Sequence, residues 1–130
     1  MRKLLVITAL LEAGTGVALL VAPVLLVGIL LGASLDPASG VAVGRVAGAA
    51  ILALSVACWG ARDAGPGRAS AGIVAAMLLY NIMVAALLIH VRFGPGLTGP
   101  GLWPVVLVHA MLGGWCGVCL RHPVASGGKS

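Results

Sequence analysis

The sequence predicts an all-α integral membrane protein, a four-helix antiparallel bundle with both termini in the cytoplasm. Three observations carry that expectation. Hydrophobic residues make up 61% of the 130 residues and charged ones 8%, with a mean hydropathy of +1.16. A water-wetted domain carries about 25% charged residues, so this surface is not built for water. Four apolar runs each approach the ~20 residues with which an α-helix crosses ~30 Å of hydrocarbon. The basic residues, finally, divide very unequally between the two sides that those runs define.

The first span is expected over 4–22. Pro23 then breaks the hydrogen-bond ladder and bends the chain. The segment 24–32 stays apolar, yet 4–32 as one helix would measure about 43 Å, too long to cross without strong tilt. An oblique segment near the outer interface is therefore expected over 24–32. Asp36-Pro37 reads as a turn and Ser39 as a cap for the second span, 40–60. The stretch 61–69 (ARDAGPGRA) is a polar loop rich in proline and glycine, and Ser70 is placed to cap the third span, 71–91. Gly94-Pro95-Gly96-Leu97 and its near copy Gly99-Pro100-Gly101-Leu102 form a turn before the fourth span, 101–120, and a polar tail follows. The short connections 32–39 and 61–69 require antiparallel neighbours. Met1-Arg2-Lys3 before an apolar run resembles a signal peptide. Glu12 interrupts that run, however, and no convincing small-x-small cleavage site precedes Pro23, so the segment reads as a retained first span.

Orientation follows from the basic residues. One side carries Arg2, Lys3, Arg62, Arg68, Arg121 and Lys129, the other Arg92 alone, and Arg45 lies inside a span. The positive side faces the cytoplasm, which places the chain N-in and C-in, in the cytoplasmic (inner) membrane of a bacterium. Phe93 and Trp103 then sit at the outer interface, with Trp59 and Trp115 towards the inner one. The net charge of +5 is thereby assigned to topology and to anionic lipid. It forms no basic run with interleaved aromatics, so nucleic acid is not an expected partner.

Gly40, Gly44 and Gly48 recur at strict four-residue spacing on the second span, which lets another helix approach closely in lipid. Gly28 and Gly32, and Gly113 and Gly117, repeat the spacing. Packing within the bundle and dimerisation through that face are both open.

Glu12, Arg45, Tyr80, Asn81 and His109 are the polar residues expected well inside the spans. Counted from the outer helix ends they lie roughly 8 to 15 Å deep, in one layer. A charge at membrane depth costs about 2.5–3.5 kcal/mol, which pairing relieves. Glu12 with Arg45 is the expected ion pair, completed by Tyr80, Asn81 and His109. The layer is either a structural network fixing helix register or a substrate or proton site with Glu12 and His109 as its titrating groups.

Trp115-Cys116-Gly117-Val118-Cys119 looks like the WCGxC of thioredoxin-type redox sites. In those a helix N-terminus activates the first cysteine. Here Cys116 and Cys119 lie towards a helix C-terminus, where the dipole has the opposite sign. They read chiefly as small packing residues and secondarily as a thiol pair, with Cys58 at a similar depth. His90 and His109 differ in height by roughly 10 Å, which does not suit ligation of one haem between them. No metal site, catalytic residue or cofactor motif is recognised, and the cofactor question stays open.

With four spans, this size and an acidic residue, Glu12, early in the first span, the chain resembles the small four-span bacterial membrane proteins called DoxX-like. The resemblance covers most of the chain. It implies a left-handed four-helix bundle and, in some members, a subunit role in a redox or respiratory assembly. The function first expected is that of a non-catalytic subunit or accessory protein, packing within the bilayer against other membrane subunits or itself. An alternative is a small oligomeric transporter or channel that uses the polar layer of Glu12, Arg45, Asn81 and His109. A thiol-redox or quinone- or lipid-binding protein is the third reading.

Overall fold

The computed structural model describes residues 1–35, 38–65 and 67–121. Among them the chain forms five α-helices and no strand: α1 (Arg2–Val21), α2 (Pro23–Leu31), α3 (Ala38–Ala61), α4 (Arg68–Phe93) and α5 (Leu102–Arg121). Four of these, α1, α3, α4 and α5, are long and apolar enough to cross a membrane. At 1.5 Å per residue they measure about 30 to 39 Å. The Asp36-Pro37 turn and the tail beyond Arg121 lie outside the described residues.

Both α3 and α4 run past the bounds set by apolarity alone, because their polar first residues continue the helix. Ser70 is consequently not the N-cap of α4. Gly67 holds that position, and Ser70 reaches back from the third helical residue. Its Oγ accepts from the Gly67 N–H (3.1 Å) and donates to the Gly65 carbonyl (2.8 Å). Orphan groups at the helix start are satisfied in this way without a capping side chain ahead of it. Ser39 likewise lies in the first turn of α3.

The break between α1 and α2 falls at Ala22, whose φ of −136° and ψ of 57° leave the helical region. Pro23 opens α2 at the position where its missing N–H costs nothing. α2 ends on Gly32 at φ +67°, a left-handed conformation that favours glycine. Its last carbonyls are then claimed by the connection ahead of α5. The Gly99 N–H donates to Leu30 O (3.2 Å) and the Gly101 N–H to Ile29 O (3.0 Å). A Cβ on Gly99 would collide with Ile29 O and lie 2.8 Å from Gly32 N. The second Gly-Pro-Gly-Leu is therefore more than a turn. It pins α2 to the α4–α5 connection by its own backbone.

The four long helices associate as two antiparallel pairs. In the first, Gly16 of α1 meets Gly48 of α3, Ser55 reaches Ala9, and Arg2 reaches Asp63. In the second, Asn81 of α4 meets His109 of α5, and Phe93 stacks edge-on against Trp103 (6.4 Å between centroids). Between the pairs lies a core of Leu4, Leu5, Cys58, Val74, Met77, Leu112 and Cys116. α1 and α4 run parallel, since Met1 lies near Ser70 and Glu12 near Tyr80. One end of the molecule gathers Arg2, Lys3, Arg62, Asp63, Arg68 and Arg121, and the other carries α2 and Arg92. At the first end Asp63 is shared between Arg2 (2.8 Å) and Arg62 (3.2 Å), tying the α3–α4 loop to the N-terminus.

The α1–α3 contact is backbone on backbone. A Cβ on Gly16 would lie 2.9 Å from Gly48 O, and one on Gly48 would lie 2.8 Å from both Gly16 O and Leu19 Cβ. Gly44 faces Pro23 (3.2 Å) and Gly40 faces Leu35 (3.4 Å). The glycine-spaced face of α3 is thus occupied within the chain, by α1, α2 and the segment after it. Gly113 lies against Asn81 (3.5 Å), whereas Gly117 has nothing within 4 Å and Gly28 only the Ala33 carbonyl, at 4.0 Å.

Candidate functional site

The interior polar residues sit where the two helix pairs face one another. Glu12 is buried on α1, on the face that also carries Thr8 and Gly16 one turn to either side. The Tyr80 hydroxyl donates to Glu12 Oε2 at 3.2 Å. Beside it on α4, Asn81 is completely buried, and its Nδ2 donates to Met77 O at 2.7 Å. That bond fixes the amide: Oδ1 is left to face His109 Nδ1 at 2.8 Å. Since a carbonyl oxygen only accepts, Nδ1 carries the proton, and in the neutral ring Nε2 is the free acceptor. The Tyr80 and His109 rings meet edge to face, 5.6 Å between centroids and 75° apart. Two hydrogen-bonded pairs, Glu12–Tyr80 and Asn81–His109, are thereby joined into one cluster drawn from α1, α4 and α5.

Arg45 does not join it. Its side chain is exposed, and among the described residues the ion pairs are those of Asp63 with Arg2 and Arg62. Two geometric facts separate it from Glu12. The contact face of α3 is centred near Gly44, and Arg45 is turned about 100° from that residue. The register set by Gly16–Gly48 and Ser55–Ala9 also puts Glu12 level with the neighbourhood of Leu52. Arg45 lies about seven residues from there, roughly 10 Å along the axis. The expected ion pair is replaced by a carboxyl whose hydrogen-bond partner among the described residues is a neutral phenol.

Two further polar residues belong to this interior: Thr8, which its spacing from Glu12 places on the same face of the first span, and Ser55, which had no counterpart in the sequence reading. Ser55 of α3 donates from its buried hydroxyl to Ala9 O (2.8 Å), a bond that fixes α1–α3 register. Thr8, completely buried, has an Oγ1 without a hydrogen-bond partner among the described residues. Spacing gave a signal for Thr8, one turn from Glu12. For Ser55 the signal was only a hydroxyl in an apolar span.

Cys58 and Cys116 are both fully buried in the core, Cys119 is half-buried, and all three are free thiols. Cys116 and Cys119 lie three residues apart in the last two turns of α5, the end where the helix dipole does not favour a thiolate. Among the described residues no three His, Cys, Asp or Glu side chains are grouped to hold a metal ion. His90 is exposed near the end of α4, well away from His109. The chain matches no family model, no curated protein and no solved structure.

Proposed function

We propose that the chain is a four-span protein of a bacterial cytoplasmic membrane, with both termini inside, acting as a non-catalytic subunit or accessory protein. The observation that carries this is the outer face of α3. Arg45, Ala49, Ala53 and Ala57 stand at four-residue spacing on one side of that helix, and all four are exposed. Small residues at this spacing are what close helix–helix contacts in lipid use, where apolar burial gives no drive. Arg45 stands seven residues, about 10 Å, into the helix, a depth at which a lipid-facing charge is unfavourable and a partner's acceptor is favourable. A second copy docking face to face about an axis along the membrane normal would bring two Arg45 side chains together. A different chain carrying an acceptor at that level fits better. The DoxX-like resemblance implies, in some members, a subunit role as well.

Purification from the native membrane in mild detergent tests this. Wild type is expected to retain a membrane partner, and Ala53→Ile to lose it while melting like wild type, since Ala53 faces outward. A strictly monomeric wild-type species with nothing bound would overturn the reading.

The N-in, C-in orientation is supported by the gathering of Arg2, Lys3, Arg62, Arg68 and Arg121 at one end. In a variant lacking the native cysteines, Ala64→Cys should react with impermeant maleimide only from the cytoplasm and Leu97→Cys only from outside. The opposite pattern would refute it.

A further inference from the structure

We infer that Glu12, with Tyr80 and Thr8, forms an interior proton-binding site, in which the carboxyl is held as the neutral acid and takes its proton from water. This does not depend on the docking of α3, and the two readings can fail separately.

The argument starts from what surrounds the carboxyl. Glu12 is 3% exposed, so it is largely cut off from water by the protein itself. A carboxylate removed from water needs a cation, several donors or a proton to neutralise it. Among the described residues no Lys, Arg or His side chain forms an ion pair with Glu12. Arg45 is turned outward and displaced along the axis, while Arg2 and Arg62 are engaged by Asp63 at the molecule's end. Among the described residues Glu12 has one donor, the Tyr80 hydroxyl. The other titratable groups packed around the site bring no positive charge to Glu12. They are Cys58 on α3, Tyr80 on α4 and His109 on α5, whose Nδ1–H is directed at Asn81, and none of them forms an ion pair with Glu12 among the described residues. A proton is what remains.

Thr8 is the second, independent observation. Its Oγ1 is fully buried and has no hydrogen-bond partner among the described residues, which is uncommon because such a group costs free energy unless something bonds to it. It lies one turn from Glu12 on the same face of α1, with the core side chains closing around it. A hydroxyl both donates and accepts, so it pairs with a carboxylate or with an acid, and the choice between them rests on the missing cation. A protonated Glu12 supplies a new donor, and Thr8 Oγ1 is the acceptor left waiting in that face. The acid oxygen that carries no proton continues to accept from Tyr80. One added proton thus removes the uncompensated charge and gives Glu12 an O–H for which Thr8 Oγ1 is the acceptor on the same face.

The chain offers an unusually direct test. Glu12 is the only glutamate in the sequence, and there is no glutamine. Protein grown on glutamate labelled with carbon-13 at the side-chain carboxyl and reconstituted in phosphatidylcholine bilayers therefore reports this one group without any mutation. At pH 7 in choline chloride, the labelled carbon should show the infrared carbonyl stretch of a protonated acid, shifting in heavy water. Tyr80→Phe should keep that acid band and move it towards a less hydrogen-bonded position, and Thr8→Val should do the same. A carboxylate signal at pH 7 in wild type would overturn the inference. So would an acid signal that converts to carboxylate when sodium replaces choline at constant pH, because the site would then belong to a metal cation. Acid bands in both variants at the wild-type position would remove Tyr80 and Thr8 from the site and overturn its composition.

Discussion

Gly48→Leu is expected to force α1 away from α3 and to destabilise the protein by about 3 kcal/mol, the upper end of what overpacking a tight interior costs. The size of the effect follows from what lies around the position. A single Cβ there would already meet Gly16 O and Leu19 Cβ at 2.8 Å and Leu20 N at 3.0 Å, and two of these are backbone atoms that cannot rotate aside. Gly48→Ala should fall between, and Gly16→Leu should repeat the full effect from the other helix, meeting Gly48 O and Leu52 N at 2.9 Å. Gly117→Ala is the control. Nothing lies within 4 Å of a Cβ there, and replacing a mid-helix glycine by alanine gains up to about 1 kcal/mol. Thermal unfolding in one detergent compares all four. A Gly48→Leu protein as stable as wild type would show that α1 and α3 do not meet through their backbones.

Much of this architecture can be read from residues alone, and the reasons are local. Apolar length gives the four long helices, because a helix that spans ~30 Å must be apolar over about 20 residues whatever its neighbours do. The break at Ala22 follows from the missing N–H of Pro23, a property of one residue. Four-residue glycine spacing marks the face of α3 that another helix approaches, although only the structure shows that α1 and α2 take it up. What spacing cannot supply is register between helices. Counting inward from helix ends places Glu12 and Arg45 in one layer. In the fold α3 extends past the end of α1, over the bend where α2 turns away, so equal counts from the ends are not equal heights. The error is about two turns of helix, enough to separate a supposed ion pair. Tyr80, Asn81 and His109 escaped that error. Tyr80 and Asn81 are adjacent on one helix, and the tight α4–α5 connection leaves little freedom in how α5 returns beside α4. Ser55 was overlooked for a different reason. A hydroxyl in an apolar span can bond its own helix, so its presence does not announce a contact with another.

Asn81 and His109 should behave as one unit. Asn81→Leu conserves volume at a fully buried position but removes the acceptor of the His109 Nδ1–H and the donor to Met77 O. The Met77 carbonyl keeps whatever helical bond it makes, whereas the imidazole N–H is left without its partner, a loss of about 1–3 kcal/mol. His109→Phe preserves the edge-to-face contact with Tyr80, now 5.6 Å between ring centroids, and strands Asn81 Oδ1 instead. Its cost should be of the same order, about 1–3 kcal/mol, since the stranded group is again a polar atom in an apolar interior. Combining the two changes leaves neither a donor nor an acceptor exposed to the core. Replacing both members of a buried hydrogen bond by apolar groups of similar shape is close to neutral, so the double variant should be more stable than either single one. The coupling energy expected for directly bonded neighbours is about 0.5–3 kcal/mol. Thermal or denaturant unfolding of the four proteins in one detergent measures it. Losses that simply add would mean that Asn81 and His109 are not bonded to each other, and the cluster joining α4 to α5 would have to be redrawn.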